Sequence, residues 1–145
     1  MVGSVSLLLA HGADPNTTDQ QGRTPLAYAS ARDHNEIVRM LIAFGADVRI
    51  RVRGSTLLYH AARSGDADLT ALLLSHGAEV DAVSENGDSP LHEAVMRGHE
   101  NVATILLSQG ADPHARNAKG KTPFDLARSR HPELLFLLDN QSDGE

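Results

Sequence analysis

The stretch Ser89-Pro90-Leu91-His92-Glu93-Ala94-Val95-Met96-Arg97-Gly98 and its continuation to Gly110-Ala111-Asp112 decides the fold. Ser followed by Pro is a helix start, because the hydroxyl accepts an orphan backbone amide and proline, at the first helical position, has no amide to leave unpaired. Gly98, nine residues after Ser89, suits a left-handed helix stop. Val102, Ile105 and Leu106 then recur at the spacing of one buried helical face, and that run ends at Gly110. The stretch reads as two short helices back to back.

Outward from it, the same signals repeat. The triplet Gly-Ala-acid stands at Gly12-Ala13-Asp14, Gly45-Ala46-Asp47, Gly77-Ala78-Glu79 and Gly110-Ala111-Asp112, with steps of 33, 32 and 33. Helix starts stand at Thr24-Pro25-Leu26, Thr56-Leu57-Leu58, Ser89-Pro90-Leu91 and Thr122-Pro123-Phe124, with steps of 32, 33 and 33. Gly65 occupies the stop slot of Gly98, and Asp33, a residue type that tolerates the left-handed conformation, occupies it one unit earlier. Second helices follow on Ile37, Val38, Leu41 and Ile42, and on Leu69, Leu72 and Leu73. Between each triplet and the next start lie about ten polar residues with a glycine near the end (Gly22, Gly54, Gly87, Gly120), the composition of a turn or hairpin. The unit is helix, helix, finger.

In this unit the sequence resembles the ankyrin repeat family, whose 33-residue repeat and T-P-L-H-x-A signature are matched best by Ser89-Pro90-Leu91-His92-Glu93-Ala94. The resemblance implies an all-α solenoid of stacked helix-turn-helix pairs, with projecting β-hairpin or loop fingers and a concave face made by fingers and first helices. Residues 1–145 then form one domain: a partial first repeat at 1–16, repeats at 17–48, 49–81 and 82–114, and a C-terminal capping repeat with its tail at 115–145. Leu134, Leu135, Leu137 and Leu138 continue that last unit, and Pro132, Asp139, Asp143 and Glu145 fit a polar terminal repeat.

The chain departs from the pattern twice. Val5, Leu7, Leu8 and Leu9 occupy second-helix positions with no first helix before them, so the expectation is an uncapped edge that frays or pairs with another chain, in a segment of a longer protein. The finger Val48-Arg49-Ile50-Arg51-Val52-Arg53-Gly54 is one residue short and alternates apolar and basic residues, which predicts a strand with its arginines on one face.

Composition narrows the function. Net charge is -6 and five of 145 residues are aromatic, so neither charge nor ring stacking favours nucleic acid, and anionic lipid is opposed as well. Zero cysteine removes disulfides, thiolate zinc sites and thiol nucleophiles. Without a signal peptide or an apolar run of about 20 residues, the reading is of an intracellular protein, cytoplasmic or nuclear. Asn16-Thr17-Thr18 and Asn140-Gln141-Ser142 are therefore chance glycosylation matches.

Eight histidines invite a metal reading, which their spacing declines. Met96 stands where a zinc helix beginning at His92-Glu93 needs its second histidine, and Phe44 interrupts the slot shared by His11 and His76. His92 takes the family's structural histidine slot, which Ala27, Tyr59 and Asp125 fill elsewhere; His34 and His99 fall in the turn between helices. No nucleophile elbow or phosphate-cradling glycine loop occurs. The expectation is no metal, no cofactor and no catalytic residue. Asn16 stands where members of the family can be hydroxylated; Arg49, Asp81 and His114 stand there in later units.

The basic residues are more informative. Of thirteen, only Arg39 falls in a second helix, so the positive charge lies toward the expected concave side. Arg32, Arg63, Arg97 and Arg130 recur once per unit and should stack into a column able to take carboxylate or phosphate. The competing reading is that fingers of alternating sign, basic at Arg49 to Arg53, acidic at Asp81, Glu85 and Asp88, basic at Arg116 to Lys121, pair with one another. By position, the partner-binding residues are Gln20, Gln21, Arg23, Tyr28, Arg32, Arg51, Arg53, His60, Arg63, Glu85, Asn86, Asp88, Met96, Arg97, Lys119, Lys121 and Arg130, with Tyr28 and Met96 as apolar anchors. The function expected is a non-catalytic interaction module for a protein or peptide, acidic or phosphorylated, with self-association through the N-terminal edge. Alternatives are a regulatory or targeting segment of a larger enzyme, channel or effector, a small ankyrin-type kinase inhibitor and, last, an autonomous enzyme.

Overall fold

The structure, a computed structural model, describes residues 2–142. Asp143 and Glu145 of the expected polar tail, and the side chain of Val5, lie outside the described residues. The chain runs α1 (Val2–Ala10), α2 (Pro25–Ala31), α3 (Asn35–Ala43), β1 (Arg51–Val52), β2 (Ser55–Thr56), α4 (Leu57–Ser64), α5 (Ala67–Ser75), α6 (Pro90–Met96), α7 (Glu100–Ser108), α8 (Pro123–Arg130), a single 3-10 turn (Pro132–Leu134) and α9 (Leu135–Ser142).

Each first helix begins where its hydroxyl stands. The Oγ1 atoms of Thr24 and Thr56 accept from the amides of Ala27 and Tyr59 at 3.2 Å, Ser89 Oγ accepts from His92 at 3.2 Å, and Thr122 Oγ1 accepts from Asp125 at 3.1 Å. Such a cap contributes about 1 kcal/mol. Asp33, Gly65 and Gly98 close the first three of these helices in the left-handed region, at φ 58°, 76° and 74°.

Helix pairs stack in two layers: α4, α6 and α8 in one, α3, α5, α7 and α9 in the other, with α1 against α3. Leu26, Leu58 and Leu91, all from the slot two residues after a helix start, are fully buried, as are Ile42, Leu73 and Leu106 from the second helices. One fully buried aliphatic side chain from each of these six helices thus joins a continuous core. At the N-terminal end α1 buries Leu9, while Leu7 and Leu8 are 60% and 62% exposed. The C-terminal unit is less polar than expected: Leu134 and Leu138 are buried, but Phe136 on α9 is 52% exposed.

The alternating finger is a hairpin of two-residue strands, with Arg51 opposite Thr56 and Val52 opposite Ser55. Arg53 and Gly54 turn it at φ 55° and 80°, the positive values a tight two-residue hairpin turn demands. Val48 and Val52 are buried, Ile50 is half-buried, and Arg49, Arg51 and Arg53 are exposed, so the side-chain alternation is present although regular pairing is short. A lone two-stranded hairpin has no third strand to extend its ladder.

One junction is looser than the others. Where α4 packs directly on α6 and α6 on α8, α2 packs chiefly on α3 and β1 and approaches α4 only loosely. The groove beside α4 opens there.

Candidate functional site

The groove has a volume of about 800 Å³ and lies along α4, between the tip of the hairpin and the turn that follows α2. Arg53, His60, Arg63, Glu85, Asn86 and Arg97, all expected at a binding surface, line it, together with Ser30, Asp33 and Tyr59.

Three of its lining residues, Tyr59, Arg63 and Arg97, meet at Glu93. This carboxylate, only 5% exposed, accepts from Arg97 Nε at 2.8 Å through Oε1 and from the Tyr59 hydroxyl at 3.1 Å through Oε2, and Arg63 Nε lies 4.0 Å from Oε1. A buried carboxylate is tolerable only when paired and hydrogen-bonded, and three partners from two neighbouring repeats supply that here. Burial foremost, then the Glu93 charge, pushes the Tyr59 hydroxyl above its ordinary pKa. Glu93 was not among the expected site residues. The signal was an acid four residues before Arg97 on one helix, the i,i+4 ion-pair spacing.

The arginine column is thereby corrected. Arg63 and Arg97 share Glu93, whereas Arg32 lies over the Tyr28 ring, 5.4 Å from its centroid. Arg130 is exposed, and its side chain makes no hydrogen bond or ion pair among the described residues. The four are not in strict register: Arg63 follows its helix start by seven residues and the others by eight.

Tyr28 is held rather than free. Its hydroxyl donates to Asp19 Oδ2 at 2.7 Å, and Arg23 lies over the ring, 4.6 Å from the centroid. The Tyr28 bond, and next the backbone amide of Arg23, hold the Asp19 carboxyl well below the usual range; the same bond raises the pKa of Tyr28. Arg23 also pairs with Asp19 at 3.2 Å and donates to Gln21. Gln20, Gln21, Lys119 and Lys121 are exposed on the first and last fingers.

Several expected contact residues also make contacts within the stack. Asp88 is buried, and its Oδ1 accepts from Asn117 Nδ2 at 2.8 Å. Met96 packs partly buried against the core, and His60 places Nε2 2.7 Å from the Val52 carbonyl. Arg51 donates to the carbonyls of Gly54 and Val83 at 3.2 and 3.0 Å, and Arg53 Nη2 to that of Ala31 at 2.7 Å. Among the described residues no ion pair joins one finger to the next, which corrects the expectation of charge pairing between fingers; Arg49 pairs with Asp47 of its own finger at 3.2 Å. Fingers meet instead through polar bonds such as Ala118 N to the Asn86 carbonyl at 3.1 Å. Asn16 does the same at the first junction: its Oδ1 accepts from Asp47 N at 2.7 Å and its Nδ2 donates to the Gly45 carbonyl at 3.1 Å.

His92 is fully buried: its Nδ1 accepts from Ser89 N at 3.1 Å, and its Nε2 lies 2.9 Å from the Lys121 carbonyl of the next unit. The histidine therefore ties one repeat's helix start to the next. The family model for ankyrin repeats (3 copies) matches residues 1–84 and again residues 61–144. The chain belongs to the ankyrin repeat family. Ankyrin repeats are protein-interaction modules, and this ankyrin chain is one. Among curated proteins it is 44% identical over 78 residues to a probable E3 ubiquitin-protein ligase of rice, XBOS34, covering 51% of this chain and 15% of the relative. It is 34% identical over 94 residues to the human ankyrin repeat and SOCS box protein 16, covering 62% and 21%. It is 41% identical over 76 residues to the transient receptor potential channel pyrexia of Drosophila melanogaster, covering 51% and 8%. The ankyrin chain thus spans about a fifth or less of these relatives. Among its described residues no helix is long and apolar enough to cross a membrane.

Proposed function

We propose that the ankyrin chain holds an acidic segment of another protein on its concave face and does no chemistry on it. The observation that supports this reading is the groove of about 800 Å³, which Arg53 of the hairpin turn, Arg63 of α4 and Arg97 at the end of α6 all line. Arginine is suited to such a surface because its planar fork reads carboxylates and loses little freedom in doing so. The groove is open and shared between repeats, which suits an extended chain better than a small substrate that must be shielded from water. By position Gln20, Gln21, Arg23, Arg32, Lys119, Lys121 and Arg130 extend the surface to either side.

The test is positional crosslinking. A photoreactive residue at Asn86, in the groove, should capture the same partner as one at Lys119, and one at Asn101, exposed on α7 of the opposite layer, should not. Capture from Asn101 alone would move the interface to the convex side. Binding should weaken steeply with salt.

A second reading is favoured by the relatives: the ankyrin chain is the targeting or regulatory part of a longer protein, as its share of their length suggests. The two readings agree on the surface and differ in what the partner is brought to.

A further inference from the structure

We infer that Arg63 and Arg97 form a two-pronged clamp for a carboxylate, set by the buried Glu93, and that it takes glutamate or aspartate side chains in preference to phosphorylated ones. This rests on the reading of the concave face as the partner surface.

Arg97 donates its Nε to Glu93 Oε1 at 2.8 Å, and Arg63 Nε lies 4.0 Å from the same oxygen, at ion-pair distance. Their terminal Nη atoms make no hydrogen bond with the described residues, and the side chains are 55% and 43% exposed along the groove. A guanidinium held by its Nε edge presents its end-on pair of N–H groups, which matches the two oxygens of a carboxylate. Glu93 is held in turn by Tyr59, so the anchor of the clamp is buried and doubly bonded. For Arg97 the cost of ordering a long side chain is met on folding, which leaves less to lose on binding.

Charge decides between the two anions. Two guanidiniums around one buried carboxylate carry a net charge of about +1, enough for one carboxylate at the outer edge. A phosphate of charge about -1.5 to -2 would bring excess negative charge beside Glu93, while Arg53 and Glu85, which line the same groove, offset each other. Arg32 and Arg130 lack this arrangement: neither has a carboxylate holding it among the described residues.

The experiment uses the full chain with a fluorescein-labelled peptide of alternating Glu and Leu, and with the same peptide carrying Gln or phosphoserine in place of Glu. Binding is read by anisotropy and by the Arg Nε–Hε resonances. The Glu peptide should shift Arg63 and Arg97, bind more tightly than both other peptides, and lose about tenfold in affinity in Arg63→Gln or Arg97→Gln. Glu93→Gln is the decisive variant. It adds net positive charge, so a carboxylate that merely opposes the ligand predicts tighter binding, whereas an anchor for the clamp predicts weaker binding. Tighter binding by Glu93→Gln, preference for phosphoserine, or unmoved Arg63 and Arg97 resonances would each overturn the clamp. Should Glu93→Gln lose its fold, Arg63→Lys and Arg97→Lys take its place: charge is kept and the fork removed, so affinity should fall about as far as in the Gln variants, and unchanged affinity overturns the proposal. Crosslinking from Asn86 with no response at either arginine would sink the clamp alone and leave the concave surface standing.

Discussion

Tyr59 in α4, a residue of the groove wall, donates its hydroxyl to Glu93 in α6 across 3.1 Å, and that bond joins one repeat to the next. Burial of the phenol and the adjacent negative charge both favour its protonated form. Tyr28 is raised as well, first by its bond to Asp19. These are the two tyrosines of the chain, which has no tryptophan. An ultraviolet titration should therefore show no phenol ionising at the ordinary value of about 10. A raised folded pKa means stability that is full below the unfolded pKa and is lost as pH rises through the folded one. Alkaline unfolding should follow, less steeply in Tyr59→Phe; ionisation of both phenols at the ordinary value would contradict this.

On the acid side the sign reverses. Asp19 is held low by the Tyr28 hydroxyl and then by the Arg23 amide, so its contribution is present above the unfolded carboxyl pKa and is lost as pH falls through the folded one. The first finger should loosen at acid pH before the core does, and Tyr28→Phe should move that transition to higher pH. Amide resonances of Gln21 and Arg23, both bonded to Asp19 Oδ1, report it.

Gly87 and Gly120 form a controlled pair. Both have positive φ, 75° and 72°, but a Cβ on Gly87 would meet the Ala118 backbone nitrogen at 2.9 Å, whereas one on Gly120 meets open space. Gly120→Ala should cost about 1 to 2 kcal/mol, the left-handed penalty alone. Gly87→Ala should cost more in urea denaturation, because the next finger's backbone must also shift. Equal costs would show that the fingers do not support one another.

Asp66 has two tasks. It caps the Leu69 amide at 3.0 Å and receives Arg39 Nη2 on both oxygens at 2.9 Å. Asp66→Asn keeps the cap and should cost about 1 kcal/mol, while Asp66→Ala loses both and should cost about 2 kcal/mol. Matching losses for the two variants in thermal and urea unfolding would assign all of the effect to the Arg39 pair and none to the cap.

The loose approach of α2 to α4 sets local stability. Repeat proteins hold each unit largely through its nearest neighbours. Amides of α2 should exchange faster than those of α6, which is packed on both sides by α4 and α8. Uniform protection along the stack would show that the junction is as firm as the rest.

Much of the architecture is legible before any coordinates, because each of its devices is local. A hydroxyl two residues before Leu26, Leu58 or Leu91 meets an amide within the same turn, and a left-handed residue at Asp33, Gly65 or Gly98 acts on the helix it ends. The hairpin was legible for the same reason, although the alternation predicted a longer strand than a two-stranded ribbon sustains.

The proposed binding surface was legible only as a side. Counting from the helix starts placed Arg32, Arg63, Arg97 and Arg130 in one column, yet Arg63 is one residue out of step, about a quarter-turn of helix. That rotation, with the acid at position 93, brings Arg63 and Arg97 to one carboxylate and leaves Arg32 to the Tyr28 ring. Two other contacts were not legible for a related reason: Asn117 reaches Asp88 from the next finger, and Met96 packs partly buried against the core.

Spacing and composition within a single unit thus settle where helices begin and end, which faces are buried and that the units stack, since those interactions join residues a few positions apart. Which arginines are held, which remain open to a partner, and where the groove opens are settled between units. There the outcome depends on the separation and rotation of neighbouring repeats, and a one-residue shift or a loosened helix contact changes which side chains meet.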